Sequence, residues 1–423
     1  MSVSPQAASA QPARAVGRVS AESADYTGPA ILLPRRRPGH LGPVHITQLL
    51  LAEAVLVAVL AAVTQNAVLA IGVGLVGAVL LLIVLGRARG RWWIERRLMA
   101  RRYRRRRQEA GAPAFGDDAR LAALRRLAPN LIVENVSVAD GSHVGVARDD
   151  AGWYAVAAVT PALATRDEPG GIPLDTLAAA LAEADQPGAV LQVVTQTVPA
   201  PSIDTHPSSA AGQSYRQLLA RFGTVPVPAD RETWVAVRLD ARSLAEAIIG
   251  DGADLDLAPA VVAAMVRRVA KSLRKDGITH RLLDAEALLG ALMRSCDLAP
   301  ATPHTETQPP REEWSEWHSA RLAHRSFWVR GWPPVAQAAS LLNWLSTSPA
   351  AMTSVSLIMA ADDDSRMVDL RALVRVSAPA GDLGPICQSL TRGAEQAHAE
   401  LFQLDGEQAP AVYASAPTGG GAR

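Results

Sequence analysis

The sequence predicts an α+β protein: an N-terminal two-helix transmembrane hairpin followed by a mixed α/β cytosolic domain. Three observations carry this expectation. Two apolar stretches of bilayer length lie almost end to end, arginines crowd only their outer flanks, and after residue 112 the pattern changes to short valine-rich runs alternating with amphipathic ones.

Residues 46–63 read ITQLLLAEAVLVAVLAAV and residues 67–85 read AVLAIGVGLVGAVLLLIVL. Each is close to the ~20 residues that span a hydrocarbon core. Only Thr64, Gln65 and Asn66 separate them, so the two spans must run antiparallel and return the chain to the side it came from. Arg35, Arg36 and Arg37 precede the first span, eleven arginines from Arg87 to Arg107 follow the second, and the turn has none. The excess of arginine places both flanks, and with them both termini, in the cytosol, as a multi-pass protein of the bacterial cytoplasmic membrane. The 45 residues before the first span do not suit a cleaved signal peptide.

Glu53 lies inside the first span, where a carboxylate costs ~2.5–3.5 kcal/mol. It is expected to face a partner helix or stay protonated, with an interhelical hydrogen bond as the plain role and a proton relay as the sharper one. Gly72, Gly74 and Gly77 spell G-x-G-x-x-G, but within an apolar run and without the strand, helix and acidic residue of a dinucleotide site. Ala70, Gly74 and Ala78 are better read as a close-packing helix face.

Net charge is only +1, yet residues 1–110 hold 16 arginines against 5 acidic residues, so the remainder is acidic. Lysine occurs twice, at Lys271 and Lys275, against 40 arginines, a genomic bias that gives no reason to expect nucleic acid as a partner. Cys296 and Cys387 are far apart and lack C-x-x-C spacing, which suits two reduced thiols. The organisation expected is a disordered tail over 1–42, the hairpin over 43–85, a basic juxtamembrane helix over 86–112, the cytosolic domain over 113–415 and a flexible tail over 416–423. In the neck, Trp92 and Trp93 stand at the interface level and the arginines can hold anionic headgroups. Arg101, Arg102, Arg104, Arg105, Arg106 and Arg107 are therefore interface candidates, toward lipid or toward an acidic partner subunit.

In the domain, strands are expected over 131–138, 143–148, 153–160, 189–198 and 233–239, and a long hairpin over 352–360 and 367–377. Helices are expected over 214–222, 243–249, 259–275, 284–294, 334–345 and 383–402. The clearest is 259–275, where Val262, Val266, Val269 and Leu273 form a core stripe and Arg274 and Lys275 complement the C-terminal dipole. Stretches 199–210 and 299–312 are rich in Pro, Ser and Thr and read as exposed loops.

The chain has no G-x-x-x-x-G-K-[ST], no H-E-x-x-H and no G-x-S-x-G, which excludes a P-loop motor and the familiar zinc-protease and serine-hydrolase designs. Asp362, Asp363 and Asp364 could hold a divalent metal against a diphosphate, although three adjacent aspartates between strands are ordinarily a solvated turn. His318 and His324 lie near Glu313 and Glu316, but their spacing fits no zinc motif, and surface histidines are the simpler reading. No catalytic, cofactor or metal residue is assigned. Trp314, Trp317, Trp328, Trp332 and Trp344 fall within 31 residues, as either a wall of the core or interface anchors. In HRSFWVRGWPP, from His324 to Pro334, Phe327 and Val329 alternate with Trp328 and Arg330, leaving one face for a partner.

Taken in order, the early hairpin, the arginine-rich neck with Trp92 and Trp93, the stretch HVGVARDDAGWYAVAAV from His143 to Val159 and HRSFWVRGWP from His324 to Pro333 resemble EccE, a membrane component of the actinobacterial type VII (ESX) secretion system. The resemblance extends over most of residues 45–415. It implies a structural, non-catalytic subunit with cytosolic termini that assembles with EccB, EccC and EccD and supports export of WXG100-type proteins, with no cofactor. It also implies a cytosolic domain akin to a degenerate glycosyltransferase, so the alternative is a membrane-anchored glycosyltransferase-like enzyme using the Asp362–Asp364 cluster.

Overall fold

The computed structural model describes residues 31–34, 40–41, 44–85, 87–88, 91–109, 118–138, 141–160, 172–184, 186, 188–203, 205–206, 208–222, 227–245, 257–298, 309–361 and 367–420. Asp362, Asp363, Asp364 and Arg35 to Arg37 lie outside the described residues, as does most of the expected tail over 1–42.

Within that tail, β1 (Ile31–Pro34) pairs parallel to a strand of the main sheet, and β2 (His40–Leu41) pairs with β3 (Val44–His45). Helices α1 (Ile46–Val63) and α2 (Ala67–Leu85) then form an antiparallel hairpin whose turn is held by Asn66, which caps α2 by accepting from the Val68 N–H at 3.0 Å. The small residue that admits α1 is Gly77, where a Cβ would lie 2.4 Å from Val55; at Gly74, expected as the contact, a Cβ would meet nothing within 4 Å. Among the described residues, no helix is long and apolar enough to cross a membrane.

A short pair, β4 (Arg87–Ala88) and β5 (Arg91–Trp92), leads into the neck helix α3 (Trp93–Glu109). The domain begins with α4 (Ala119–Leu124), capped by the Asp118 side chain. Its strands are β6 (Ile132–Ser137), β7 (His143–Asp149), β8 (Gly152–Thr160), β9 (Ala189–Ala200), β10 (Val227–Asp240), β11 (Thr279–Leu282), β12 (Arg311–Glu312), β13 (Trp317–His318), β14 (Ala323–Gly331), β15 (Met352–Ala361), β16 (Met367–Ala378) and β17 (Glu400–Gln403). Its further helices are α5 (Leu174–Ala182), α6 (Ala210–Phe222), α7 (Ala258–Lys275), α8 (Ala285–Ser295), α9 (Val335–Ser346), α10 (Ala380–Gln396) and α11 (Gln408–Ser415).

One 13-stranded sheet runs in the order β12-β13-β14-β16-β15-β9-β10-β8-β7-β6, with β11 on β8, β17 on β14 and β1 on β16. Apart from β1, all its pairings are antiparallel. Alternation along each strand gives the sheet two apolar faces. One buries Val235, Val237, Val355, Leu357, Val374 and their neighbours under α5, α7, α9 and α10; the other buries Tyr154, Val156, Trp234 and Trp317 under α4, α8 and α11. The stripe of α7 lands as its spacing requires, with Val262, Val266, Val269 and Leu273 all buried.

The order conceals a duplication. With α6, inserted between β9 and β10, set aside, the series β6-β7-β8-α5-β9-β10-α7-β11-α8 is followed by β12-β13-β14-α9-β15-β16-α10-β17-α11, and each element of the second series holds the place of its counterpart in the first. In both, a hairpin (β9/β10, β15/β16) lies beside a strand (β8, β14) that also carries an edge partner (β11, β17). The two series meet where β9 and β15 pair antiparallel, Thr197 opposite Thr353 through Val190 opposite Ala360. Because that junction is antiparallel, the repeats are related by an approximate two-fold axis through it, normal to the sheet.

Three expectations are corrected. The helix expected over 383–402 stops at Gln396; His398 takes a left-handed φ of 58°, and Glu400–Gln403 returns as β17, because Leu401 buries its side chain against the sheet while its backbone pairs with Val329. Short α4, α5 and α11 go unannounced, since their few turns carry little periodic signal. The C-terminal stretch expected to be a flexible tail is core as far as Gly420, the last described residue. Ala416 and Thr418 are fully buried, and the Thr418 and Gly419 N–H groups donate to the Gln192 side-chain oxygen at 3.0 and 2.7 Å. Small residues that read as flexible are there to lie flat on the sheet: at Gly419, φ is 77° and a Cβ would fall 2.3 Å from that of Arg238.

Candidate functional site: the docked neck and the tryptophan face

The arginines of α3 divide by helical position. Met99, Tyr103 and Arg106 share one face at i, i+4, i+7 spacing, and that face rests on the second repeat. The Tyr103 ring stands edge-on to Trp314 with centroids 5.4 Å apart. Arg106 makes a fork of two bonds to Glu312, Nε to Oε2 at 3.1 Å and Nη2 to Oε1 at 2.9 Å, and its Nη2 also donates to the Gly406 carbonyl at 2.5 Å. Glu312 is only 7% exposed, and its Oε1 accepts in addition from the Ala409 N–H in the first turn of α11 at 3.1 Å. Gly406 is required twice over: its φ is 76°, and a Cβ would crowd Trp314 at 2.8 Å and Met99 at 3.1 Å. Sequence reasoning placed Arg106 and Trp314 among interface residues; the structure brings them together within the chain.

Arg101, Arg102, Arg104, Arg105 and Arg107 are exposed, with Arg107 stacking over Tyr103 at 5.8 Å. The tryptophans separate as well. Trp317 is 2% exposed and tilts against the His324 ring at 4.9 Å, so it is core and presents nothing to a partner. Trp332 packs against the helix-rich face, Trp344 is 41% exposed, and Trp328 is half-buried in the row of β14 that faces β17. Phe327 and Val329 point inward. The opposite face of β14 is not left open throughout, because Ser326 is buried and its N–H donates to Gln408 of α11 at 2.9 Å.

Glu53 lies exposed on the outside of the hairpin, turned away from α2 and with no ion-pair or hydrogen-bond partner among the described residues.

Two buried polar clusters stand on the α8 and α11 side of the sheet, and each joins the two repeats. In one, Asp149 pairs with Arg238 and accepts from the Tyr413 hydroxyl at 2.9 Å; Tyr413 in turn touches the Tyr154 hydroxyl at 2.9 Å, and Arg238 lies over the Tyr154 ring. Burial drives the phenols of Tyr154 and Tyr413 well above their usual range. In the other, Asp297, just beyond α8, receives Ser319 and Arg321 and lies 3.5 Å from His324 Nε2, while the Ser377 hydroxyl meets His324 Nδ1 at 2.7 Å. His324 is not the surface histidine its sequence context suggested. It is fully buried, and burial depresses its pKa to about 4. Burial alone would raise the Asp297 carboxyl, but His324, Ser319 and Arg321 outweigh it and hold the group ionised.

Ser377, His324 and Asp297 line up in the order of a nucleophile, base and orienting acid. Their exposures of 0%, 0% and 4% close that arrangement to any substrate. Burial also raises the thiol of Cys296 to about 12 and that of Cys387 to about 11, as suits protonated core cysteines. No group of three or more His, Cys, Asp or Glu side chains that could hold a metal occurs among the described residues.

Residues 227–329 match the family model described as "Putative type VII ESX secretion system translocon, EccE". Over this segment the chain is similar to the EccE family. It runs from β10 into β14 and so covers the end of one repeat, the start of the next, and Trp314, Trp317 and Trp328. No curated protein matches the chain. The description of that family is of a component of the type VII secretion translocon.

Two outcomes follow. His324 is neutral when folded and titrates near 6.5 once exposed, so the unfolded state binds one more proton between about pH 6.5 and 4. Stability is therefore full above that window and should fall through it by about 1.4 kcal/mol per pH unit. Urea unfolding followed by tryptophan fluorescence should show this slope, and His324→Gln should flatten it. For the neck, a double-mutant cycle of Arg106→Ala and Glu312→Ala should give a coupling of roughly 1–2 kcal/mol, since one partner is nearly buried and the bonds are charge-assisted; a coupling near zero would mean that α3 is not held on the domain.

Proposed function

We propose that the chain is a non-catalytic structural subunit of the type VII secretion membrane complex, held in the cytoplasmic membrane by α1 and α2 with both termini in the cytosol. It contributes its duplicated sheet as a cytosolic scaffold for neighbouring subunits, EccB, EccC and EccD, and supports export of WXG100-type proteins. The observation that carries the role is the EccE match over residues 227–329.

The membrane placement rests on exposure. Leu49, Leu50, Leu56, Val57, Leu60, Val63, Val68, Ile71, Leu75 and Val76 are all 49% exposed or more, on every side of a hairpin that covers only one face of each helix. Apolar surface of that extent is stable only under lipid or under partner helices. The two full helices, of 18 and 19 residues at 1.5 Å each, are about 27 and 28 Å long, close to a hydrocarbon thickness of ~30 Å. The arginine-rich helix α3 follows α2 after the short β4–β5 pair, on the side where the excess of arginine is expected to meet anionic headgroups. The non-catalytic reading is supported by the sealed Ser377, His324 and Asp297 cluster.

Topology can be tested with a single cysteine, because Cys296 and Cys387 are buried and leave little background. Ser208 is exposed in the loop after β9. Ser208→Cys should resist a membrane-impermeant maleimide on intact cells and react after lysis; labelling from outside intact cells would overturn the placement.

A further inference from the structure

The two repeats differ at one row of the sheet, and the difference leaves a cleft in one and fills it in the other. In the first repeat, Ala158 on β8 stands between Trp234 on β10 and Arg281 on β11. In the matching row of the second, Trp328 on β14 stands between Leu373 on β16 and Phe402 on β17. There the Arg330 guanidinium lies 4.6 Å above the Phe402 ring and pairs with Glu400. The correspondence is tight, since β11 and β17 occupy the same place in each repeat with the same length of 4 residues, followed in each by α8 or α11 on the same face.

With a methyl group and an outward-pointing arginine where its counterpart has two aromatic rings, the first repeat keeps an open cleft of about 220 Å³. Trp234 and Leu283, each 2% exposed, and Ala287 form its apolar wall; Arg231, Arg281 and Arg294 surround it. Arg294 is engaged by Glu232 at 3.1 Å. Arg231 and Arg281 are exposed and have no ion-pair or hydrogen-bond partner among the described residues. The volume is below the ~300–1,000 Å³ typical of small-molecule sites, and suits one side chain better than a cofactor.

We propose that this cleft docks an acidic segment of a partner protein, which inserts one aromatic side chain against Trp234 and lays its carboxylates on Arg231 and Arg281. The second repeat shows within the chain what fills this position: an aromatic side chain beside a paired guanidinium and carboxylate. Charge complementarity selects an acidic flank, arginine being the residue that binds carboxylates through two parallel bonds. An aromatic anchor in an apolar recess rimmed by arginine is also the composition in which binding energy concentrates. The site names a partner chemistry for the scaffold role but does not require the membrane placement.

The test uses the full chain in mild detergent and a fluorescein-labelled peptide, Asp-Glu-Trp-Glu-Asp, read by anisotropy. Saturable binding is expected, weakened at least tenfold by replacing the peptide's tryptophan with alanine and at least tenfold by Arg281→Glu. Ala158→Trp, which closes the cleft as the second repeat does, should weaken it equally while the unfolding midpoint holds; if that variant does not fold, the exposed Arg281→Glu decides. No saturable binding, or binding indifferent to Arg281→Glu and to the peptide's tryptophan, overturns the proposal. So does Arg281→Glu reducing attachment to phosphatidylglycerol vesicles while peptide binding is unchanged, which would make this a lipid headgroup site. Each of these results leaves the Ser208→Cys labelling pattern untouched, so failure here and failure of the membrane topology are told apart.

Discussion

The ladder between β9 and β15 makes one body out of two. Eight register pairs run antiparallel between a strand of each repeat, and on both sides the sheet continues outward through the same succession of neighbours. An antiparallel junction of like strands forces the approximate two-fold relation, because only a half-turn about the sheet normal superposes the strands. It also keeps like faces together: α5 and α9 lie on one face of the sheet and α8 and α11 on the other. Neither repeat is closed without the other. The segment after α8 sends Asp297 to His324, Ser319 and Arg321 of the second repeat, while α11 and the residues after it send Tyr413 and Thr418 to Tyr154, Asp149 and Arg238 of the first. These exchanged contacts are polar and buried, so any slip of the ladder would strand charged and hydroxyl groups without partners.

The duplicated frame explains where the chain can vary. Positions that build the junction and the exchanged clusters are fixed by packing and hydrogen bonding, but the outer row of each repeat is free to take different side chains. The second repeat uses that freedom for Trp328, Phe402 and Arg330, and its turn at Gly406 for the docking of α3; the first leaves Ala158 and Arg281. An even frame thus acquires one end that receives the neck and another that is open. In the role proposed above, that asymmetry would let one end hold the neck while the other receives a neighbour.

Much of the architecture is written in local patterns. The hairpin at 46–85, the strand pairs around 143–160 and 352–377, and the buried stripe of α7 all follow from periods of 2 or 3.6 and from turn residues. The duplication is not so written. Laid one on the other, β8 (GWYAVAAVT, from Gly152) and its counterpart LAHRSFWVR, from Leu322, agree only at Val159 and Val329, and the first repeat inserts α6 between β9 and β10. Equivalent strands share burial, not identity, so the pattern of pairing is needed to see it. The candidate site was half legible. Arginine density marked α3, but only the 3.6-residue phase separates Arg106, aimed at Glu312, from its exposed neighbours, and Glu312 gives no sign in sequence of being its partner because 206 residues separate them. Tryptophan density marked 314–344, but core Trp317 and exposed Trp344 could not be told apart until strand and helix faces were assigned. The C-terminal stretch misled for a physical reason, since glycine and alanine signal freedom in solution and close approach on a sheet.

Hydrogen exchange of the detergent-purified chain across a urea series tests the junction directly. Amides in residues 190–197 and 353–360 should exchange among the slowest, and β8 and β14 should lose protection at the same denaturant concentration, as one cooperative unit. If one repeat exchanges at low urea while the other stays protected, or if β9 and β15 exchange as fast as the loops, the sheet is two independent units and the β9–β15 ladder does not bind the repeats into one body.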